Sequence, residues 1–441
     1  MLKSLYIHPN FFKILAVLVG GFVLSFWIPL LYSICWMLVT VLGALALLEY
    51  SILFREKEGI QAERFGPAKL SNGDPNSLVI RLRSKYTFIS HLEIIDELPV
   101  QFQKRDFMHR LKLIPKGETE YDYTVRPVER GEYVFGDLNI YASSSIRLIR
   151  RRFRFQKDQI MPVYPSLIQM QKYDFLAISN KLTSLGLKKI RRIGHTQEFE
   201  QIKEYIEGDD VRTINWKATA KRTGLMVNQY QDEKSQPIYC LVDTGRVMKM
   251  PFEGLTLLDY AINTTLAFSN VALKKGDKTG LLAFSKAINS FVPAASKITH
   301  LNQILEKLYS IQTDFKDSNY GLLYAQVKRK ITHRSLLLLF TNFEHPSALK
   351  RQLPYLRGLA KQHLLVVVFF ENTEMEHLIH APAEKIQDIY HKTIAEKHQH
   401  EKQIMRRELI RNGIQVVLTK PEELTINTIN KYLEIKARGM L

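Results

Sequence analysis

Five polar residues follow directly on short apolar runs: Asp243 after Ile238–Val242, Ser285 after Gly280–Phe284, Thr341 and Asn342 after Ser335–Phe340, and Glu371 after His363–Phe370. In open α/β sheets ligands bind beyond the carboxyl ends of the strands, so these five are the side chains to examine for ligand contact. Other familiar chemistry is absent from the sequence. It contains no Gly-x-x-x-x-Gly-Lys-Ser/Thr phosphate cradle and no Gly-x-Ser-x-Gly nucleophile elbow. His391, His398 and His400 stand in a Lys/Glu-rich stretch. They read as a solvated helix face rather than a metal site. Cys35 and Cys240 are too few for a disulfide framework or a four-thiolate zinc site.

The elements that must position these residues alternate. Helical spacing fills Leu255–Leu273, Ile298–Leu308, Ser347–Gln362 and Leu424–Lys436, between apolar strand-like runs that end with Ile414–Leu418. Such alternation predicts a mainly parallel sheet covered on both faces. Upstream, from about Ser77 to Tyr164, short runs rich in β-branched and aromatic residues are separated by turns such as Asn72-Gly73-Asp74-Pro75 and Pro115-Lys116-Gly117. That spacing predicts a small sandwich of immunoglobulin-like type. The expected organisation is a hairpin over 1–54, a sandwich over 55–165, a connector over 166–230 and an α/β domain over 231–441.

The hairpin rests on length. From Ile14 to Leu48, 35 positions carry no formal charge. A single helix of that length would measure about 52 Å against a hydrocarbon core of about 30 Å. Two transmembrane arms fit, near 11–27 and 30–50, if the chain reverses at Trp27-Ile28-Pro29. Lys3 and Lys13 precede the first arm, Arg55, Lys57 and Arg64 follow the second, and the turn carries no charge. The positive-inside rule then puts both ends and all that follows in the cytoplasm. With 62 Lys and Arg against 44 Asp and Glu, the net charge of +18 favours an anionic partner, nucleic acid or acidic lipid. The run Arg147, Arg150, Arg151, Arg152 and Arg154 reads equally as a lipid-facing patch or an ordinary solvated strand.

The most distinctive stretch runs from Glu198 to Arg222. Gly208 permits a turn, Asp209 or Asp210 can cap a helix, and Lys217, Lys221 and Arg222 approach its end. The segment resembles the signature of the domain-of-unknown-function 58 family: an acidic-glycine-aspartate turn, Arg212, Ile214, Trp216, Lys217, then Thr219, Ala220 and Lys221. Val128-Glu-Arg-Gly-Glu-Tyr133, Val163-Tyr164-Pro165 and Gly276-Asp277 extend the match, although Ser143-Ser-Ser-Ile-Arg147 stands where many members carry a Pro-x-Gly-Leu-like stretch. The resemblance implies a bacterial inner-membrane protein with a von Willebrand factor A-like C-terminal domain. It also implies work beside a MoxR-type AAA ATPase in complex assembly or envelope functions; no settled activity comes with it, and the chain is expected not to be an enzyme. The interaction residues it points to are Gly208, Asp209, Asp210, Arg212, Trp216, Lys217 and Lys221. Trp216 and Ile214 are expected to pack, Arg212 to tie domains together, and Lys217 and Lys221 to stay accessible.

A factor A metal site needs Asp-x-Ser-x-Ser, a loop threonine and a later aspartate. Here Asp243-Thr-Gly245-Arg-Val247 lacks both serines, Thr313 is a loose candidate for the loop ligand, and Asn342 replaces the aspartate. That oxygen count is too low for Mg²⁺, and no cofactor is expected. A membrane-tethered nucleic-acid binder and a metal-dependent enzyme stay open as alternatives.

Overall fold

The computed structural model describes residues 4–104, 107–178, 197–206, 211, 214–221, 224–232, 236–313, 315–380, 382 and 385–440. They form two compact units, Met1–Tyr164 and Pro165–Leu441.

The first unit opens with strand Leu5–Ile7, then helix α1 (Pro9–Leu24) and helix α2 (Leu30–Arg55). Pro9 suits the first helical turn, where its missing N–H costs nothing, and His8 Nδ1 caps the end by accepting from the Asn10 N–H at 3.1 Å. Among the described residues α2 is the one helix long and apolar enough to cross a membrane, with 26 residues and a mean hydropathy of 2.2. The expected first arm is shorter than the sequence suggests. It stops at Leu24, where the Ser25 hydroxyl bonds the Phe22 carbonyl at 2.7 Å, and its 16 residues reach about 24 Å.

The rest of this unit is β-structure. A five-stranded sheet runs in the order Leu5–Ile7, Ile149–Phe155, Leu138–Ser143, Ser90–Asp96, Met108–Leu113, and every pair in it is antiparallel. Two three-stranded sheets complete the unit, one built on Asn76–Ser84 and one on Gln159–Tyr164. Alternation buries one side of Asn76–Ser84 and of Ser90–Asp96: Leu78, Ile80 and Leu82 join Leu92, Ile94, Leu138 and Ile140 in one core. Within it Arg64 and Asp96 form a buried ion pair, to which the Tyr123 hydroxyl also donates.

The ends of the helical pair are built into this unit. Leu5–Ile7 pairs with Ile149–Phe155, Ile7 opposite Ile149. Glu49 of α2 is buried, and its carboxylate accepts the backbone N–H groups of Ser144, Arg147, Leu148 and Ile149 at 2.7–3.2 Å. Arg151 donates to the carbonyls of Leu53, Glu56 and Lys57, capping the negative end of α2. Leu53 and Phe54 lie in the core. The arginine run is thereby divided. Arg150 pairs with Glu93, Arg152 with Asn139 and Tyr6, and Arg154 with Asp137, so it does not form one lipid-facing patch.

The second unit carries a six-stranded sheet in the order Ile288–Ala295, Lys278–Phe284, Pro237–Asp243, Leu336–Phe340, Leu364–Phe370, Gln415–Thr419. All neighbours are parallel except the first pair. The central strands are apolar along their whole length because helices cover both faces. One of these, Leu257–Lys274, is almost wholly buried and begins with a capping box of Thr256 and Asp259. Strands Gln197–Glu204 and Met226–Asp232 form a separate antiparallel ribbon.

Candidate functional site

Strand Pro237–Asp243 lies between Lys278–Phe284 and Leu336–Phe340, so successive connections leave it toward opposite sides. Its carboxyl end is a topological switch point, the place where open α/β sheets form a crevice. Asp243 stands there, fully buried. One carboxylate oxygen accepts from the Gly245 N–H at 2.9 Å and from the Ser318 hydroxyl. The other accepts from Thr341 Oγ1 at 2.7 Å and from the Tyr320 hydroxyl at 3.3 Å. Burial pushes the acid's pKa up against these four donors. The same burial and the neighbouring carboxylate raise that of Tyr320.

Gly245 makes this approach possible. A Cβ at that position would lie 2.1 Å from Ser318 Oγ. The hydroxyl that a serine two residues after Asp243 would supply is therefore delivered by Ser318 from another segment. Asn319 holds that segment in place: its N–H donates to the Ser285 carbonyl at 2.9 Å, and its side chain caps helix Tyr320–Lys330. Ser285 thus contributes through its backbone.

The set Asp243, Thr313 and Asn342 is not the one the fold brings together. Thr313 Oγ1 accepts from the Phe315 N–H at 3.4 Å, and Asn342 Oδ1 accepts from Lys402 Nζ at 2.7 Å. The reason is local. Ser318, not Thr313, is the loop residue fixed against the strand ends, and Thr341 is the residue after the strand whose side chain meets Asp243. Among the described residues at the strand ends, Asp243 is the one carboxylate in this cluster, and its four donors are Gly245, Ser318, Thr341 and Tyr320. Arg246 turns outward toward Asp317.

Beside this latch lies a cavity of about 250 Å³, walled by Phe252, Leu257, Phe370 and Met375, with Glu371 and His398 among its polar groups. Lys402 reaches into it from helix Ile386–Arg411 and is itself buried. Its ammonium donates to Asn342 Oδ1 and, at 2.8 Å, to the Phe343 carbonyl. Burial pushes its pKa down to about 8 despite Glu344 and Glu371. Of the three histidines, His391 and His400 are exposed, while His398 is half-buried and held below its ordinary pKa by desolvation. Lys402, Ser318 and Tyr320 were not singled out by motif. Lys402 did carry a signal, since it shares a helical stripe with the buried Ala395, Met405 and Leu409.

Of the signature residues, Gly208, Asp209, Asp210 and Arg212 lie outside the described residues. Trp216–Thr219 is a single helical turn capped by Asn215, whose Oδ1 accepts from the Ala218 N–H at 3.0 Å. Trp216 is 70% exposed, contrary to its expected packing, because a one-turn helix offers no second layer to cover an indole. Ile214 is half-buried and bridges to Val227, whereas Lys217 and Lys221 are exposed.

These features define an α/β sheet with a buried carboxylate at its switch point, in a chain that also carries a β-rich unit and a long apolar helix. Residues 201–418 match the family described as "Protein of unknown function DUF58". The chain is 26% identical over 255 residues to the uncharacterized protein YeaD of Bacillus subtilis (strain 168), across 56% of this chain and 61% of that protein. It therefore spans about three fifths of that relative's length. Among solved structures it is similar to the conserved hypothetical protein BatB from Bacteroides thetaiotaomicron. That likeness has 13% identity and a TM-score of 0.31, over 46% of this chain and 100% of that one. The CARDB domain of the PF1109 protein from Pyrococcus furiosus matches with 12% identity and a TM-score of 0.18, over 24% of this chain and 86% of that domain.

Proposed function

We propose that this chain is an interaction protein anchored in the bacterial inner membrane by α1 and α2. Both termini and both folded units face the cytoplasm, and its partner is a MoxR-type AAA ATPase acting in complex assembly or envelope maintenance. The role is docking, not catalysis. In support of the two-span reading, Leu5–Ile7 and Glu49 are both stitched to the same stretch, residues 144–151. The shorter α1 is accommodated by local thinning of the bilayer around it. In this reading the second unit is von Willebrand factor A-like, consistent with its central first strand and antiparallel edge, and the first unit is an immunoglobulin-like sandwich.

The observation that carries the docking role is Trp216, held out to solvent beside exposed Lys217 and Lys221 within the signature segment. An exposed indole flanked by cations suits an apolar pocket with an acidic rim, the pairing typical of interface anchors. The test is binding of purified ATPase to the full chain in nanodiscs. Trp216→Ala is expected to weaken binding at least tenfold, about 1.4 kcal/mol. Its stability should stay within about 0.5 kcal/mol of the parent, as for other exposed positions. Unchanged affinity in both Trp216→Ala and the pair Lys217→Glu, Lys221→Glu would sink the docking reading.

A further inference from the structure

The end of the five-stranded sheet that receives the helical pair carries its own apolar and basic surface. Ser90 is opposite Leu113, and His91 is opposite Ser143, so Ile89, Ile114 and Ser144 share one end of the sheet. Ser144 is a ligand of Glu49, and Ile7 reaches the same end opposite Ile149. At this end Ile89 is 46% and Ile114 68% exposed, and two strands side by side thus present bare isoleucines where the chain emerges from α2. Basic residues surround them. Lys112 and Lys116 are exposed on the strand and turn that carry Ile114. Of the nearby carboxylates, Glu58 is paired with Lys85 and Glu118 with Arg83, and Glu56 is next to Lys57, so Lys112 and Lys116 leave the local balance positive. The loop Ile146–Leu148 also packs apolar side chains against Leu18 of α1 and Leu42 of α2, so the protein surface here is continuous with the helical pair.

We infer that this sheet end is a lipid-binding face: Ile89 and Ile114 enter the interfacial layer of the bilayer, and Lys112 and Lys116 contact anionic headgroups. Apolar side chains inserted at the acyl boundary beside cations that meet phosphate are the usual composition of a peripheral membrane contact. The first unit is then seated on the membrane and not merely tethered near it. The inference rests on the membrane anchoring proposed above, and the experiment separates the two.

Full-length chain carrying Cys35→Ala and Cys240→Ala is given a single cysteine at position 38, 89, 100 or 114 and labelled with an environment-sensitive fluorophore. It is reconstituted in vesicles of phosphatidylcholine with or without phosphatidylglycerol, each containing a lipid-borne quencher. Position 38 lies within α2, and position 100, 87% exposed, belongs to the opposite end of the sheet. The expected result is quenching at 38, 89 and 114 but not at 100. Quenching at 89 and 114 should strengthen with phosphatidylglycerol and weaken in Lys112→Glu, Lys116→Glu. Quenching at 38 with none at 89 or 114 overturns the lipid face and leaves the anchor standing. Absence of quenching at 38 overturns the anchor, and the lipid face with it.

Discussion

Asp243 shows how a buried charge is made tolerable. An isolated carboxylate in a sheet interior would cost several kcal/mol, and three hydroxyls with one backbone N–H offset that cost. Removing the acid strands its neutral donors: Asp243→Ala is expected to lose about 1–3 kcal/mol in denaturant unfolding of the second unit. A loss below about 1 kcal/mol would show that the latch contributes little. Lys402 is the complementary case. Its folded-state pKa of about 8 lies below the ordinary 10.5, so between these values the unfolded chain binds more protons than the folded one. Stability should therefore rise with pH across that window and level off above it. Below pH 8 the penalty is fully present. The melting temperature of the parent chain, followed against Lys402→Met, should climb from pH 8 toward 10.5, and parallel profiles would refute the depressed pKa.

At the scale of elements, α2 is joined to its sheet by two opposite devices, a carboxylate that takes backbone N–H groups and an arginine that takes the helix's last carbonyls. Glu49→Ala removes the first device and leaves buried N–H groups of residues 144–149 without their acceptor, an expected loss of about 3–5 kcal/mol. Limited proteolysis should then cut within 144–149, where the parent resists; equal resistance would show that Arg151 alone suffices. Glu49 was visible in the sequence only as the charge that ends an apolar run, since nothing local announces a partner 95 residues away. The six-stranded sheet was legible because full burial on two faces writes itself as continuous apolar runs such as Leu364–Phe370. The carboxylate at its switch point was legible for the same reason, as the first polar residue after such a run. Its partners Ser318 and Tyr320 were not, because hydroxyls gather there through loop closure and leave no periodic trace. Trp216 misled because indoles are usually well covered, and exposure depends on what surrounds a short turn.

For the molecule as a whole, the pairing of Leu5–Ile7 with Ile149–Phe155 bears on the proposed topology as much as hydropathy does. A strand needs its partner's backbone on the same side of the bilayer, because unpaired N–H and C=O groups are not tolerated in the hydrocarbon. In the proposed anchoring, the chain before α1 and the chain after α2 share a compartment, and α1 and α2 together return to the side they started from. In the proposed orientation charge selects the side: Arg55 and Lys57 stand at the end of α2, Lys13 lies in the first turns of α1, and Ser25–Pro29 between the helices is uncharged. Protease added to intact spheroplasts is expected to leave the region after Arg55 whole, and protease added to inverted vesicles to digest it. Breaking the strand pair separates the two contributions. Tyr6→Pro, opposite Arg150, should loosen the N-terminal strand without moving the folded units, because the flanking charges are unchanged. Digestion after Arg55 from the outside of spheroplasts in the parent chain would overturn the orientation. Digestion there in Tyr6→Pro alone would show that the strand pair, and not the charge, holds the two ends on one side.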